Sequence, residues 1–274
     1  MTTRGLQLRM AIVGSILFAF YLLAATVIAA AFGLPLLPAL VAGIVLLPAF
    51  QYKLGKWLAL RGAKEMPEEG RYREVHQMTE SLSRDMGIKK PKLMVMDMGT
   101  PNAFAVGRKG AGVVCVSTEL MQILERDELE GVIAHELAHI KNRDVVTMVL
   151  GQSIATIVGY AVFFLVQMLG EDNPGSFILA WVASSVANML VMLFVFAISR
   201  YREYVADDDA RQYIGSGDPL ARALEKISRS AQARDTQVDD NVSALCIFND
   251  ERGLLQSLFA THPPTEKRIE KLRS

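Results

Sequence analysis

Three long stretches of the chain carry no charged residue: 10–52, 145–170 and 173–199. A bilayer core takes about 20 helical residues to cross. The first stretch is therefore long enough for two passes and each of the others for one. Gly33-Leu34-Pro35 supplies a break inside the first, because glycine and proline favour a turn. Glu171-Asp172-Asn173-Pro174 separates the second from the third. The pattern predicts four transmembrane helices in two hairpins. Arg4 and Arg9 precede the first apolar stretch, as in a signal peptide, but no convincing cleavage site follows and a second span comes almost at once, so the stretch reads as an anchor.

The polar segments have shorter periods of their own. Residues 66–86 are helical in pattern. Pro91 to Met98 is apolar on alternate positions, which predicts a strand rather than a methionine metal ladder. Pro101 to Gly107 reads as another strand, and Arg108-Lys109-Gly110-Ala111-Gly112 as the turn of a hairpin into the strand around Cys115. A short helix follows at 118–124, and then a longer one. On that helix Leu129, Ile133, Leu137 and Ile140 form an apolar stripe, and Asp127 with Glu130 resembles a capping box. Ser228 to Val242 is rich in Asp, Ser, Gln and Ala and reads as a mobile loop. The tail, 253–274, ends in a basic amphipathic helix after Pro263-Pro264.

Charge sets the orientation. Lys and Arg flank the apolar blocks on their outer sides, at Arg4, Arg9, Lys53, Lys56, Arg61, Lys64, Lys141, Arg143, Arg200 and Arg202, and are absent from the turns within each hairpin. Under the positive-inside rule both termini and all the polar sequence are cytoplasmic. The expected organisation is a cytoplasmic N-terminus (1–9), a first transmembrane hairpin (10–52), a cytoplasmic part (53–144), a second hairpin (145–199) and a second cytoplasmic part (200–274). With 29 basic and 29 acidic residues, the balance gives no support for nucleic-acid binding. Cys115 and Cys246 have no Cys-x-x-Cys spacing, so they make a poor metal or redox site.

The candidate chemistry lies in His135-Glu136-Leu137-Ala138-His139. Residues four apart stack on one side of a helix, so both imidazoles can reach one metal ion. At 100° per residue the pair points roughly 135° away from the apolar stripe. Glu136 projects beside them, where it can activate water. This is the arrangement of a zinc metalloprotease. Catalytic zinc usually takes a third protein ligand. His76, which has no ligand spacing, and His262 are the remaining histidines. Glu203, just after the last apolar block, is well placed instead, and Asp207 one turn later can hydrogen-bond the second nitrogen of a ligating imidazole. Asp208 and Asp209 read as a solvated face, and Asp144 as a residue that caps or pairs near the third span, with no chemistry assigned to it. The charge around the motif would be very costly inside a bilayer, which excludes an intramembrane site.

The motif at 135–139 occurs together with Asn102-Ala103-Phe104-Ala105, Arg202-Glu203-Tyr204-Val205-Ala206-Asp207 and Thr261-His262-Pro263-Pro264, in order. In this the whole chain resembles the HtpX-type membrane zinc endopeptidases, relatives of the CAAX prenyl protease. The resemblance implies an α+β membrane protein: four transmembrane helices plus a cytoplasmic zincin-like domain with a small β-sheet and the H-E-x-x-H helix. It implies one Zn2+ on His135, His139 and Glu203, with Glu136 as general base. It further implies Asn102 and Ala103 on an edge strand that binds substrate, and His262 and Arg268 steadying the oxyanion. The implied partners are polypeptides, chiefly misfolded membrane proteins, and the lipid bilayer. Self-cleavage, a stress-response or quality-control role and a plasma-membrane location follow from the same resemblance.

Overall fold

The computed structural model describes residues 46–170, 173–235 and 263–274, with eight further positions between 23 and 38. Most of the first expected hairpin, Cys246 and His262 lie outside the described residues. The elements run α1 (Leu47–Ala59), β1 (Lys64–Glu65), α2 (Gly70–Asp85), β2 (Lys92–Met96), β3 (Ala103–Val106) and β4 (Val113–Ser117). They continue with α3 (Thr118–Ile123), α4 (Arg126–Lys141), α5 (Asp144–Leu169), α6 (Pro174–Ile214), α7 (Asp218–Asp235) and α8 (Thr265–Arg273). The fold is mostly helical with one small mixed sheet. It divides into two compact units, Met1–Gly55 with Thr147–Ser199, and Lys56–Val146 with Arg200–Ser274.

In the first unit, α5 and the first part of α6 are long and apolar enough to cross a membrane. They approach each other over small residues. A Cβ on Gly151 would lie 3.0 Å from the Val195 side chain, and one on Gly159 would touch Ser184 and Asn188 at 3.4 Å. Close backbone approach of this kind is how apolar helices associate without a hydrophobic driving force. Ser153 donates to Gln51 Oε1 (2.6 Å) as well as to its own helix at Val149 O (2.7 Å), so it serves packing. Phe177, Ile178, Leu179, Trp181 and Val182 are exposed on α6. The helix spans 41 residues, about 62 Å at 1.5 Å per residue. That is twice the ~30 Å of a bilayer core, so α6 continues unbroken well past its apolar part.

The second unit holds the sheet, in the order β1-β2-β4-β3. Strands β2 and β4 are parallel and the other two pairs antiparallel. The predicted hairpin is β3 with β4, and it leaves β3 at an edge. β4 is buried throughout, and burial pushes the Cys115 thiol up to about 11, which keeps it protonated and inert. Beneath the sheet lie Leu82 of α2, Leu120 of α3, Leu129, Ile133, Leu137 and Ile140 of α4, Leu220 of α7 and Leu272 of α8. The predicted stripe of α4 is thus a face of this core. His76 bonds the carbonyl of Met66 (3.1 Å) and serves the packing of α2.

Two expectations need correction. The capping box of α4 is Glu125 with Glu128, two residues before the pair that the sequence suggests. Arg126 and Asp127 are already helical. Glu128 is fully buried and returns to the Glu125 N–H (2.8 Å), while Arg222 (3.1 Å) and Lys226 (2.8 Å) of α7 neutralise it. Only Gly fits at position 131, where a Cβ would come within 2.9 Å of the Leu220 backbone nitrogen, so α4 and α7 pack backbone to backbone. The second correction concerns Ser228 to Val242. Helix α7 runs on to Asp235, because Leu224 and Ile227 keep its apolar side against the core. The rest of that stretch lies outside the described residues.

Candidate metal centre

Helix α4 places His135 and His139 one turn apart, and the tail of α6 brings Glu203 across to them. The two Nε2 atoms lie 3.1 Å from each other. One Glu203 oxygen is 3.6 Å from His135 Nε2 and the other 3.5 Å from His139 Nε2. Each of the three residues thus turns one ligand atom toward a common point, within 4.8 Å of the others. In a tetrahedral shell with bonds of 2.0–2.1 Å, ligand atoms lie about 3.3 Å apart, and the spacing here is close to that.

The remaining nitrogens explain the geometry. His135 Nδ1 faces Asp207 Oδ1 at 3.0 Å, and His139 Nδ1 faces Asp144 Oδ2 at 2.5 Å. With both Nδ1–H groups turned to carboxylates, two Nε2 lone pairs would face each other. Such a pair needs a cation or a proton between its members, so the residues present fit a divalent metal.

The same conflict appears in the titration. Burial opposes charge on His135, but Asp207 and Glu203 outweigh it and raise its pKa to about 9. Burial, reinforced by the charge of His135, pushes His139 down to about 4. One proton on the pair is favoured and two are not. Burial alone would raise the pKa of Asp207, yet His135 and Arg268 hold it below the ordinary carboxylate range.

Arg268 of α8 reaches the same place. It grips Asp207 with two nitrogens (2.9 and 2.7 Å) and Glu203 with the third (3.1 Å), and its Nη2 is 3.4 Å from His135 Nε2. Its guanidinium is therefore engaged by Asp207 behind His135 and by the candidate ligand Glu203 itself. Glu136 is buried next to His135, and its charge is felt by both His139 and Arg268. Asp209 is not the solvated residue that the run of three aspartates suggests. It is half-buried and bonds Lys141 (3.0 Å) and Asn142 (2.8 Å), fastening α6 to the end of α4.

Ala103 opens β3, and Asn102 immediately precedes it. The Asn102 N–H donates to Ser117 Oγ (2.9 Å), and its carbonyl accepts from the Ser117 N–H (2.9 Å). The same hydroxyl caps α3 by accepting from the Leu120 N–H (3.0 Å). Since main-chain groups alternate along an antiparallel strand, those of Ala103 and Ala105 point to the open edge. The backbone of Asn102 is committed to β4, and its side chain is what remains available. Three participants escaped the sequence: Asp144, Arg202, which pairs with Asp144, and Ser117. Asp144 and Arg202 stand among the charges that flank the apolar blocks, and Ser117 at the end of a strand, and nothing in the sequence names their partners.

Comparison with known proteins agrees with this picture. The profile of peptidase family M48 matches residues 69–274. A protein from Halobacterium salinarum named Protease HtpX homolog is 53% identical, covering 97% of this chain and all of the relative. Another of that name from Pyrococcus abyssi is 42% identical over 73% of this chain and 72% of its own length. The crystal structure of S. mikatae Ste24p superposes with a TM-score of 0.60 at 20% identity. It covers 98% of this chain, which spans 65% of that structure's length, and the likeness is one of fold.

Proposed function

This chain belongs to peptidase family M48, and we propose that it is a membrane-bound zinc endopeptidase cutting polypeptides at the cytoplasmic face of the plasma membrane. The observation that carries the reading is the convergence of His135 Nε2, His139 Nε2 and a Glu203 oxygen on one point. In this reading those three residues hold one Zn2+. The metal, when bound, supplies Lewis acidity to the scissile carbonyl and acidifies water.

The chain's own residues do the rest. Ala103 and Ala105, with outward main-chain groups on β3, take the substrate as an added strand. The Asn102 side chain closes the end of that strand. Glu136 accepts a proton from the attacking water and returns it to the departing amine, the task of a general base that becomes a general acid. Asp207 holds His135 by its Nδ1. Arg268, with His262 from the segment just before α8, stabilises the charge that develops on the carbonyl oxygen.

Strand addition reads main chain, so it selects extended segments rather than particular side chains. That favours unfolded or damaged membrane proteins as substrates, in a quality-control role under stress, with self-cleavage as a side reaction. The proposed layout keeps 10–52 and 145–199 as transmembrane hairpins and 53–144 with 200–274 as the catalytic parts, both termini being cytoplasmic. The test is cleavage of an unfolded model protein by the purified chain with zinc, beside Glu136→Gln. Activity in the first alone, with zinc bound to both, is the expected result. Equal activity in both would overturn the assignment.

A further inference from the structure

The metal-ligating edge of His139 has a support of its own that mirrors the one behind His135. Behind His135 stand Asp207 and then Arg268. Behind His139 stand Asp144 and then Arg202, each through one oxygen of the aspartate: Oδ2 toward His139 Nδ1 and Oδ1 toward the guanidinium. Asp144, Arg202, Asp207 and Arg268 are all buried. Four buried charges arranged as two carboxylate–arginine pairs are costly, and hydrophobic packing would hold the helices as well. An imidazole presents one lone pair outward only when its other nitrogen keeps the proton. A carboxylate facing that nitrogen fixes the tautomer and raises the basicity of the ligand.

The backbone is built to bring this about. Only Asn142 and Arg143 separate α4 from α5. Arg143 takes φ 58°, the left-handed region that non-glycine residues seldom adopt. That turn carries the first residue of α5 back onto a side chain five positions earlier. Arg202 is the immediate neighbour of Glu203, so α6 delivers a ligand and the counter-charge for the other ligand's support in consecutive residues.

We propose that Asp144 and Arg202 are positioning residues for the metal centre: Asp144 orients His139 through Nδ1, and Arg202 holds Asp144 in place. The proposal rests on the zinc site described above. It extends that site from one braced histidine to two.

The test uses the full chain in detergent. Zinc affinity is measured by chelator competition, and the visible spectrum is recorded with Co2+ in place of zinc. Asp144→Ala and Arg202→Ala should each weaken zinc binding by about 10–100-fold and shift the cobalt spectrum, with smaller losses in Asp144→Asn and Arg202→Lys. Arg222→Ala, which removes one of the two cations that neutralise the buried Glu128 away from the metal, should lower the melting temperature but leave affinity and spectrum of the folded protein unchanged. Unaltered affinity and spectrum in the Asp144 variants would overturn the proposal. If Asp144→Ala does not fold, Asp144→Asn decides, because it keeps the shape and removes the charge. Failure of the unmodified chain to bind zinc would instead strike at the site itself, and the wild-type titration separates the two outcomes.

Discussion

At the residue scale, the two carboxylates nearest the proposed chemistry should respond differently to removal. Glu136→Gln keeps size and burial but cannot take a proton, so cleavage should fall by about 10²–10⁴-fold while zinc stays bound. Glu203→Ala removes a ligand atom and should weaken zinc binding itself. Chelator competition on the two variants would reveal a reversed order, if there is one. Protons compete with metal at His135, whose pKa lies near 9 in the metal-free protein. Its proton is favoured in the fold below that value, since the folded pKa is raised from 6.5. The associated stability is full below 6.5 and disappears as pH rises through 9. Zinc affinity should therefore climb about tenfold per pH unit from 6.5 to 8.5. A flat profile would mean that His135 is already neutral. His135, Glu136 and His139 were legible in the sequence because four-residue spacing on a helix dictates adjacency, whereas Glu203 was suggested only by its place just after the last apolar block and by the family resemblance. Asp144 was not, since its contact depends on the left-handed Arg143 reversing the chain.

At the scale of elements, edge strand β3 and the α4–α7 contact carry distinct expectations. Ala105 offers its N–H to the open edge, and proline is tolerated on an edge strand where that group faces outward. Ala105→Pro should raise KM for unfolded substrates with little change in melting temperature. A large loss of stability would show that the N–H serves the sheet instead. Gly131 lies against the Leu220 backbone, and Gly131→Leu would force α7 away from α4. A cost of several kcal/mol is expected, comparable with the ~2–5 kcal/mol of a buried Leu→Ala change, measured by denaturant unfolding of the detergent-solubilised chain. Strands β2, β3 and β4 and helix α4 were readable in the sequence, whereas the two-residue β1 was not. The cap of α4 was not, because Glu128 is held at N3 by Arg222 and Lys226, about a hundred residues away in sequence. The helical start of Ser228 to Val242 was missed for a similar reason: its polar composition says nothing of the core against which Leu224 and Ile227 lie.

For the whole molecule, α6 is the element that joins the two chemistries, with an apolar run at one end and Glu203, Asp207 and Asp209 at the other. If its first part crosses a bilayer, the exposed Trp181 faces lipid. The chain has two tryptophans, so Trp57→Phe isolates Trp181. Its fluorescence in liposomes should be quenched by brominated acyl chains and unaffected by aqueous iodide, whereas the opposite pattern would place this face in water. What the sequence determined by itself was whatever depends on spacing along one element: the apolar blocks, the alternating strands, the paired histidines with their glutamate, and the family to which the motifs point. What only the tertiary structure decided was whatever depends on which elements meet. That includes the approach of Glu203 to both Nε2 atoms, the grip of Arg268 on Asp207 and Glu203, the pairing of Asp144 with Arg202, and the fastening of Asp209 to Lys141. Periodicity follows from local backbone geometry, which every residue carries with it. A buried charge reveals nothing of its partner until the chain has folded, because only the desolvation imposed by packing makes that partner necessary.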